Sequence, residues 1–190
     1  MTNYLIMNKE TNLSIYTIGN FEVDAGPIKR MLWYFTNVLF FINPLNPLSS
    51  LKVFLLRLFG AKVGKGVNIK PAVNIKYPWK LIIGDYSWIG EKAWIDNLDM
   101  VNIGKNCCIS QGAMLLCGNH NFSKTGFDLM HKPIVLEDGV WIGAHAIVAP
   151  GIIGKSHAVL AVNSVATKNL EPYSIYQGNP AIKIKDRIIN

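Results

Sequence analysis

From Val63 onward an aliphatic residue returns at every sixth position. The steps run Val63-Gly-Lys-Gly-Val-Asn, Ile69-Lys-Pro-Ala-Val-Asn, Ile75, then Ile83-Gly-Asp-Tyr-Ser-Trp, Ile89-Gly-Glu-Lys-Ala-Trp, Ile95. They resume at Ile103, Ile109 and Leu115 and again at Leu136, Ile142 and Val148. Glycine or another small or polar residue often follows the opener, and Ser, Ala, Val or Cys usually sits four places on. Six residues suit one short strand and one turn. Three such sides make a coil, and coils stack into a prism whose units bury their apolar sides only against their neighbours. Val63, Ile83 and Ile103 open successive coils twenty residues apart, so Leu81-Ile82 and Val101-Asn102 are a two-residue extra beyond three hexads. First and fifth residues of a hexad are expected to face inward and sixth residues outward. After Leu136 the frame holds through Gly154, Leu160 and Ala166, with Gly154 bringing no side chain to the core. Glu171-Pro172 is expected to close the array, because proline cannot donate to a ladder hydrogen bond.

The hexads vanish once, between Cys117 and Pro133. Gly118–Lys132 (GNHNFSKTGFDLMHK) is polar and turn-rich and predicts a loop without regular structure. A loop of that length inside a regular array is functional or disordered. Ahead of the array the pattern changes again. Met31–Ile42 and Leu48–Phe59 are apolar over much of a helical circumference, with Asn43-Pro44 and Asn46-Pro47 between them, and predict two short helices. Ser49 or Ser50 is placed to cap the second. Two uses suit such helices, and they can coexist: docking on the prism or a sister subunit, or lying on a membrane surface with help from Lys29, Arg30, Lys52 and Arg57.

Sixth positions include Trp88, Trp94, Met100, Met114, Trp141 and Ile147. An outward row of large apolar groups is costly in water and predicts a partner surface, or else cover by the helices or the long loop. Composition adds less. A chain of 190 residues, 50% hydrophobic and 16% charged, suits one compact domain. Met1–Asn20 has no apolar core behind a basic start, and no stretch reaches the roughly 18 apolar residues of a membrane-spanning helix. Three cysteines, Cys107, Cys108 and Cys117, match neither a disulfide frame nor a metal-ligand spacing and fit a reduced, cytoplasmic protein. The net charge of +7 includes Lys183, Lys185 and Arg187 near the C-terminus. With no nucleic-acid-binding motif beside them, a phosphate-rich ligand is the better use.

The hexads resemble those of the hexapeptide-repeat acyltransferases, whose fold is a left-handed parallel β-helix. Lys132–Gly151 is similar to the catalytic half of the galactoside and maltose O-acetyltransferases. LKVFLLRLFGAKVGKGVNIKP, NIKYPWKLIIGDYSWIG and WIDNL are closer to the colanic-acid and capsular-polysaccharide acetyltransferases. The likeness runs from about Gly26 to the C-terminus and leaves out Met1–Phe21. It implies a division into an N-terminal extension (1–25), an apolar helical segment (26–60), a β-helix acyltransferase domain (61–171, with loop 118–133) and a basic tail (172–190). It also implies a homotrimer with active sites between neighbouring prisms, acetyl-CoA as acyl donor, and a sugar hydroxyl as acceptor in cell-surface polysaccharide synthesis. The expected location is cytoplasmic, with or without peripheral contact at the inner face of the membrane.

Acetyl transfer from a thioester to a hydroxyl needs a base, and histidine suits it at neutral pH. His120, in Gly118-Asn119-His120-Asn121-Phe122, stands where the family's catalytic histidine stands. Relatives often follow it with Asp, whereas here Asn121 follows, so the group that orients the imidazole is left open. His131 reads as solvated or structural, His157 as surface, and His145, at a turn near the implied pantetheine arm, as a minor candidate. The resemblance places Trp141, Ala144 and Val162 along that arm and Thr167 and Lys168 by the nucleotide phosphates, with Lys183 and Arg187 as further cations. Asp96, Asn97, Asn119 and Asn121 are candidates for the acceptor, Asp96 and Asn97 reading equally well as turn residues serving their own backbone. Rivals within the same fold are N-acetylation of an amino sugar and a non-catalytic trimeric scaffold. A zinc-dependent γ-type carbonic anhydrase is disfavoured by the spacing of the four histidines.

Overall fold

The computed structural model describes residues 10–190. The chain winds as a left-handed parallel β-helix with three flat faces. Face one stacks Lys62–Val63, Leu81–Ile83, Val101–Ile103, Ile134–Leu136 and Ile153–Gly154. Face two stacks Asn68–Ile69, Trp88–Ile89, Cys108–Ile109, Trp141–Ile142 and Val159–Leu160. Face three stacks Asn74–Ile75, Trp94–Asp96, Met114–Leu116, Ile147–Val148 and Val165–Ala166. Register follows the hexads. Val63 pairs with Ile83 and Ile83 with Ile103, while beyond the interruption Val135 pairs with Ile153. The interrupted coil is longer: Val101 pairs with Ile134.

Openers form the core. Ile69, Ile89, Ile109, Ile142 and Leu160 are fully buried on face two, as are Ile75, Ile95, Leu115 and Val148 on face three. Fifth positions fill the corners with small groups: Ala93, Ala113, Ala146 and Ala158 are buried, and Ser87 donates to the Gly104 carbonyl while accepting from Cys107 N–H. Stacking identical positions in this way leaves few voids, so each buried opener contributes about 1.5–3 kcal/mol. Gly154 leaves no gap, because the Leu136 and Val140 side chains fill the space where its Cβ would stand. Cys107 and Cys117 are buried free thiols and Cys108 is half-buried.

The helices form where the apolar periodicity placed them, with changes. Helix α1 starts earlier, at Pro27, and runs to Thr36. Asn37–Ile42 continues as a π-helix, and α2 spans Ser49–Leu58. Ser49 does not cap α2. Leu48 holds that position, and Ser49 Oγ instead accepts from Ile69 N–H at 2.8 Å. This difference shows what the helices do. The first coil of a parallel stack has bare backbone groups along its outer edge, and they need partners. On face three, Trp33 Nε1–H donates to the Ile75 carbonyl and Asn37 Oδ1 accepts from Ile75 N–H, while its Nδ2–H donates to the Asn74 side chain. On face two, the Lys52 ammonium donates to the Lys70 carbonyl. On face one, Arg57 donates to the Val63 and Gly64 carbonyls. Lys52 is thus buried rather than turned outward to a membrane, and burial pushes its pKa down.

The opposite end also departs from expectation. Glu171-Pro172 does not close the array, because Ser174–Gly178 adds a further strand to face two, Val159 pairing with Ile175. The basic tail is a strand as well: Ala181–Asp186 turns back antiparallel on Ser174–Gly178.

Candidate active site

The long insertion is an ordered hairpin. Gly118–His120 pairs antiparallel with Leu129–His131, Asn119 opposite Met130. Polar composition hid the strands, since the pairing is short and one-sided. His120 ends the first of them. Its ring stacks on Phe127 at 4.5 Å between centroids, 9° from parallel, and Nδ1 lies 3.0 Å from the Phe127 carbonyl. A carbonyl can only accept, so Nδ1 carries the proton, and the lone pair of the neutral ring sits on Nε2. Phe127 therefore supplies the orientation that Asn121 does not. Asn121 N–H donates to the Asp128 carbonyl and its Oδ1 accepts from Ser123 N–H, which shapes the hairpin tip.

His120 opens on a cleft of about 460 Å³ walled by Asp96, Lys76, Asn119 and Leu129 on one side and Tyr16, Ile18 and Phe21 on the other. The second wall comes from the N-terminal extension. Asn12 N–H donates to the Thr125 carbonyl and Leu129 N–H to the Thr17 carbonyl, and the Tyr16 ring stands 5.8 Å from the His120 ring. Sequence reasoning missed these residues because they carry no repeat and no catalytic word. Asp96 reaches the cleft; Lys76 Nζ lies 3.0 Å from its Oδ1 but off the direction of a hydrogen bond, which leaves that oxygen without a hydrogen-bond donor. Asn97 does not reach it. It is fully buried, accepting from Tyr77 N–H and donating to the Tyr77 and Lys80 carbonyls. Asn119 Oδ1 accepts from His120 N–H.

The other histidines have structural places. His131 pairs with Asp99 at 2.9 Å, edge-on to Phe21. His145 turns the corner between faces two and three with φ of 55°, over Gly112, whose Cβ would lie 2.5 Å from the imidazole. His157 does the same at the corner between faces one and two and packs on Tyr173.

The residues expected to hold the acyl donor lie apart within one chain. Trp141, hydrogen-bonded through Nε1 to Ser110 Oγ, lies on face two, with Ala144 and an exposed Val162 at the next corner. Thr167 and Lys168 are exposed beyond face three, at the corner from which the His120 hairpin also leaves. Lys183 pairs with Asp186 at 2.7 Å. Arg187 is occupied elsewhere: it donates to the Gly139 and His157 carbonyls and pins the end of the chain to the corner between faces one and two. Trp88 and Trp141 leave face two bare, 55% and 46% exposed, and Trp94 on face three is also exposed, lining a hollow beside α1. The described residues hold no cluster suited to a metal ion.

No family model matches the chain. It is 37% identical over 176 residues to an Escherichia coli (strain K12) protein named as the colanic acid biosynthesis acetyltransferase WcaF, spanning 90% of this chain and 97% of that one. It is 27% identical over 136 residues to the galactoside O-acetyltransferase of the same strain, covering 70% of this chain and 66% of the relative. Among solved structures it resembles the hexapeptide-repeat acetyltransferase VCA0836 of Vibrio cholerae in complex with acetyl coenzyme A. There the TM-score is 0.80 at 20% identity, over 93% of this chain and 97% of that one.

Proposed function

Since the chain belongs to the hexapeptide-repeat acetyltransferases of the colanic acid biosynthesis kind, we propose that it moves acetyl from acetyl-CoA to a sugar hydroxyl of a cell-surface polysaccharide. The observation that carries the reading is His120, with Nδ1 held on a carbonyl, which leaves Nε2 as the basic nitrogen, and with the residue lining a cleft that also holds Asp96. Nε2 accepts the hydroxyl proton as the oxygen attacks the thioester carbonyl. The C–S bond then breaks, and the proton passes to the departing thiolate. Backbone N–H groups beside the thioester stabilise the oxyanion.

The active unit is a homotrimer. His120 leaves from one edge of face three, while Trp141, Ala144 and Val162 lie at and beyond its other edge. A donor lying along the second set meets the base of a neighbouring prism, and the bare Trp88 and Trp141 supply the apolar contact.

The enzyme works at a membrane surface. Ile28, Met31, Leu32, Phe35, Leu39 and Phe54 are exposed on the outer side of the helical segment. From Ala25 to Gly84 the sequence has nine Lys and Arg and no Asp or Glu. Apolar burial and attraction to anionic headgroups then act together, and three copies add by avidity. No helix among the described residues is long and apolar enough to cross a membrane.

Thiol release from acetyl-CoA over a panel of saccharides, with mass and linkage analysis of products, tests the reaction. Acetyl on a saccharide oxygen is expected. Acetyl on nitrogen only, or no turnover with any saccharide, overturns it.

A further inference from the structure

A second and larger cavity, about 640 Å³, lies between α1 with its π-helical continuation and face three of the first two coils, with the corner residues Lys76, Tyr77 and Trp79. Arg30, Tyr34, Val38, Ile42, Trp79 and Trp94 are among its walls. It shares Lys76, Tyr77 and Asp96 with the His120 cleft, so the two hollows are neighbours with the Lys76–Asp96 pair between them. Its size is in the range of small-molecule sites, which are mostly apolar with a few fixed polar groups. Its mouth lies beside the exposed apolar side of the helices, where Met31, Tyr34 and Val38 line the groove and also face solvent. Arg30 is exposed and its guanidinium has no hydrogen-bond or ion-pair partner among the described residues, while Lys29 is spent over the Trp79 ring, 5.0 Å from its centroid. A π-helical segment is an uncommon conformation found mostly at functional sites, and this one forms the groove wall through Asn37, Val38 and Ile42.

A free sugar needs none of this beyond the His120 cleft. An apolar trough, a free guanidinium among its walls and the His120 cleft next to it suit a ligand with three parts in that order: a lipid chain, a phosphate and a saccharide. We propose that the groove seats the lipid phosphate of an acceptor whose saccharide is carried on a long-chain lipid through phosphate, and that Arg30 contacts that phosphate while the sugar reaches His120. The inference rests on the acetyltransferase reading and names its acceptor class. Guanidinium is the side chain best shaped for phosphate oxygens, because its planar fork can donate to two of them at once.

Calorimetry on the full-length protein tests it with three probes kept below their micelle concentrations: decyl phosphate, decyl glucoside and dihexanoyl phosphatidylglycerol. Decyl phosphate is expected to saturate one site per chain. Arg30→Ala should weaken it about tenfold or more and leave decyl glucoside unchanged, while Lys62→Ala, an exposed cation outside the groove, should change neither. Trp94→Ala should weaken both decyl compounds. The absence of saturable decyl phosphate binding overturns the proposal. So does equal weakening by Arg30→Ala and Lys62→Ala, which would mark diffuse charge attraction. Tighter binding of phosphatidylglycerol than of decyl phosphate would give the groove to a membrane lipid instead. These readouts involve no turnover and can be repeated in His120→Ala. Binding without any acetyl transfer would therefore remove the reaction proposed above and leave the groove standing.

Discussion

His120→Ala should separate catalysis from stability, and both sides can be sized from the geometry. The variant loses the Nε2 lone pair, the only part of the side chain free to act on an acceptor. A general base contributes about two to four orders of magnitude, or roughly 3–5 kcal/mol of barrier. The structural loss is smaller. The stack on Phe127 accounts for about 1 kcal/mol and the Nδ1–H bond to its carbonyl for about another 1 kcal/mol. Both lie in the hairpin, outside the parallel ladders, so the coils keep every buried opener. A loss near 2 kcal/mol in a chain this long lowers the melting temperature by about 4–8 °C. At 25 °C the variant should stay folded and keep its affinity for CoA, while turnover falls at least about a hundredfold. Steady-state thiol release gives kcat, calorimetry with CoA gives the affinity, and thermal unfolding gives the rest. Turnover near that of the parent would remove His120 as the base. A parallel collapse of CoA affinity and melting temperature would make the residue structural.

Lys168→Ala should weaken CoA more than dephospho-CoA, because a lost phosphate contact matters only where the phosphate exists; equal losses would take Lys168 out of the donor site. The buried thiols set an alkaline limit. Burial pushes Cys107 up to about 11 and Cys117 to about 12, against an ordinary 9.0. Above pH 9 the unfolded chain releases protons that the folded chain keeps, so their contribution is complete below pH 9 and is lost as pH rises toward 11–12. Each thiol should make stability fall by roughly 1.4 kcal/mol per pH unit in that window. In urea titrations between pH 8.5 and 10.5, Cys117→Ala should show a shallower decline than the parent, and identical slopes would refute the linkage.

The prism was legible because its signal repeats. Ile69, Ile89, Ile109 and Ile142 each restate one requirement, an aliphatic group at a fixed point of a coil, and all four are buried together on one face. What occurs once was harder to read. The antiparallel pairing of Gly118–His120 with Leu129–His131 has no second copy in the chain, and its polar residues point away from strand. Tyr16 and Phe21 carry no periodicity, yet they complete the His120 cleft by packing across more than a hundred residues of sequence. Asn97 and Arg187 show the opposite error. Polar and charged side chains suited to ligands are also suited to backbone carbonyls, and here the backbone has them. Lys52 teaches the same lesson on the helices, where an expected surface cation is a buried donor.

The side chains that meet the edge of the first coil bear on how large the object can become. A parallel stack is a template for its own next layer, since every coil presents to the following one the surface it has just used. Nothing in the repeat itself forbids another chain from docking head to tail and extending the ladder into a fibre. Trp33, Asn37, Ser49, Lys52 and Arg57 occupy the carbonyls and N–H groups such a newcomer would need at one end. At the other, Ala181–Asp186 lies antiparallel across the last strand of face two and spoils the register there. The helical segment thus works as a terminator of growth as well as a wall of the groove. A chain cut to begin at the first hexad and to end before Ala181–Asp186 should polymerise end to end, seen as light scattering that grows with concentration, whereas removing the helices alone leaves the other end blocked.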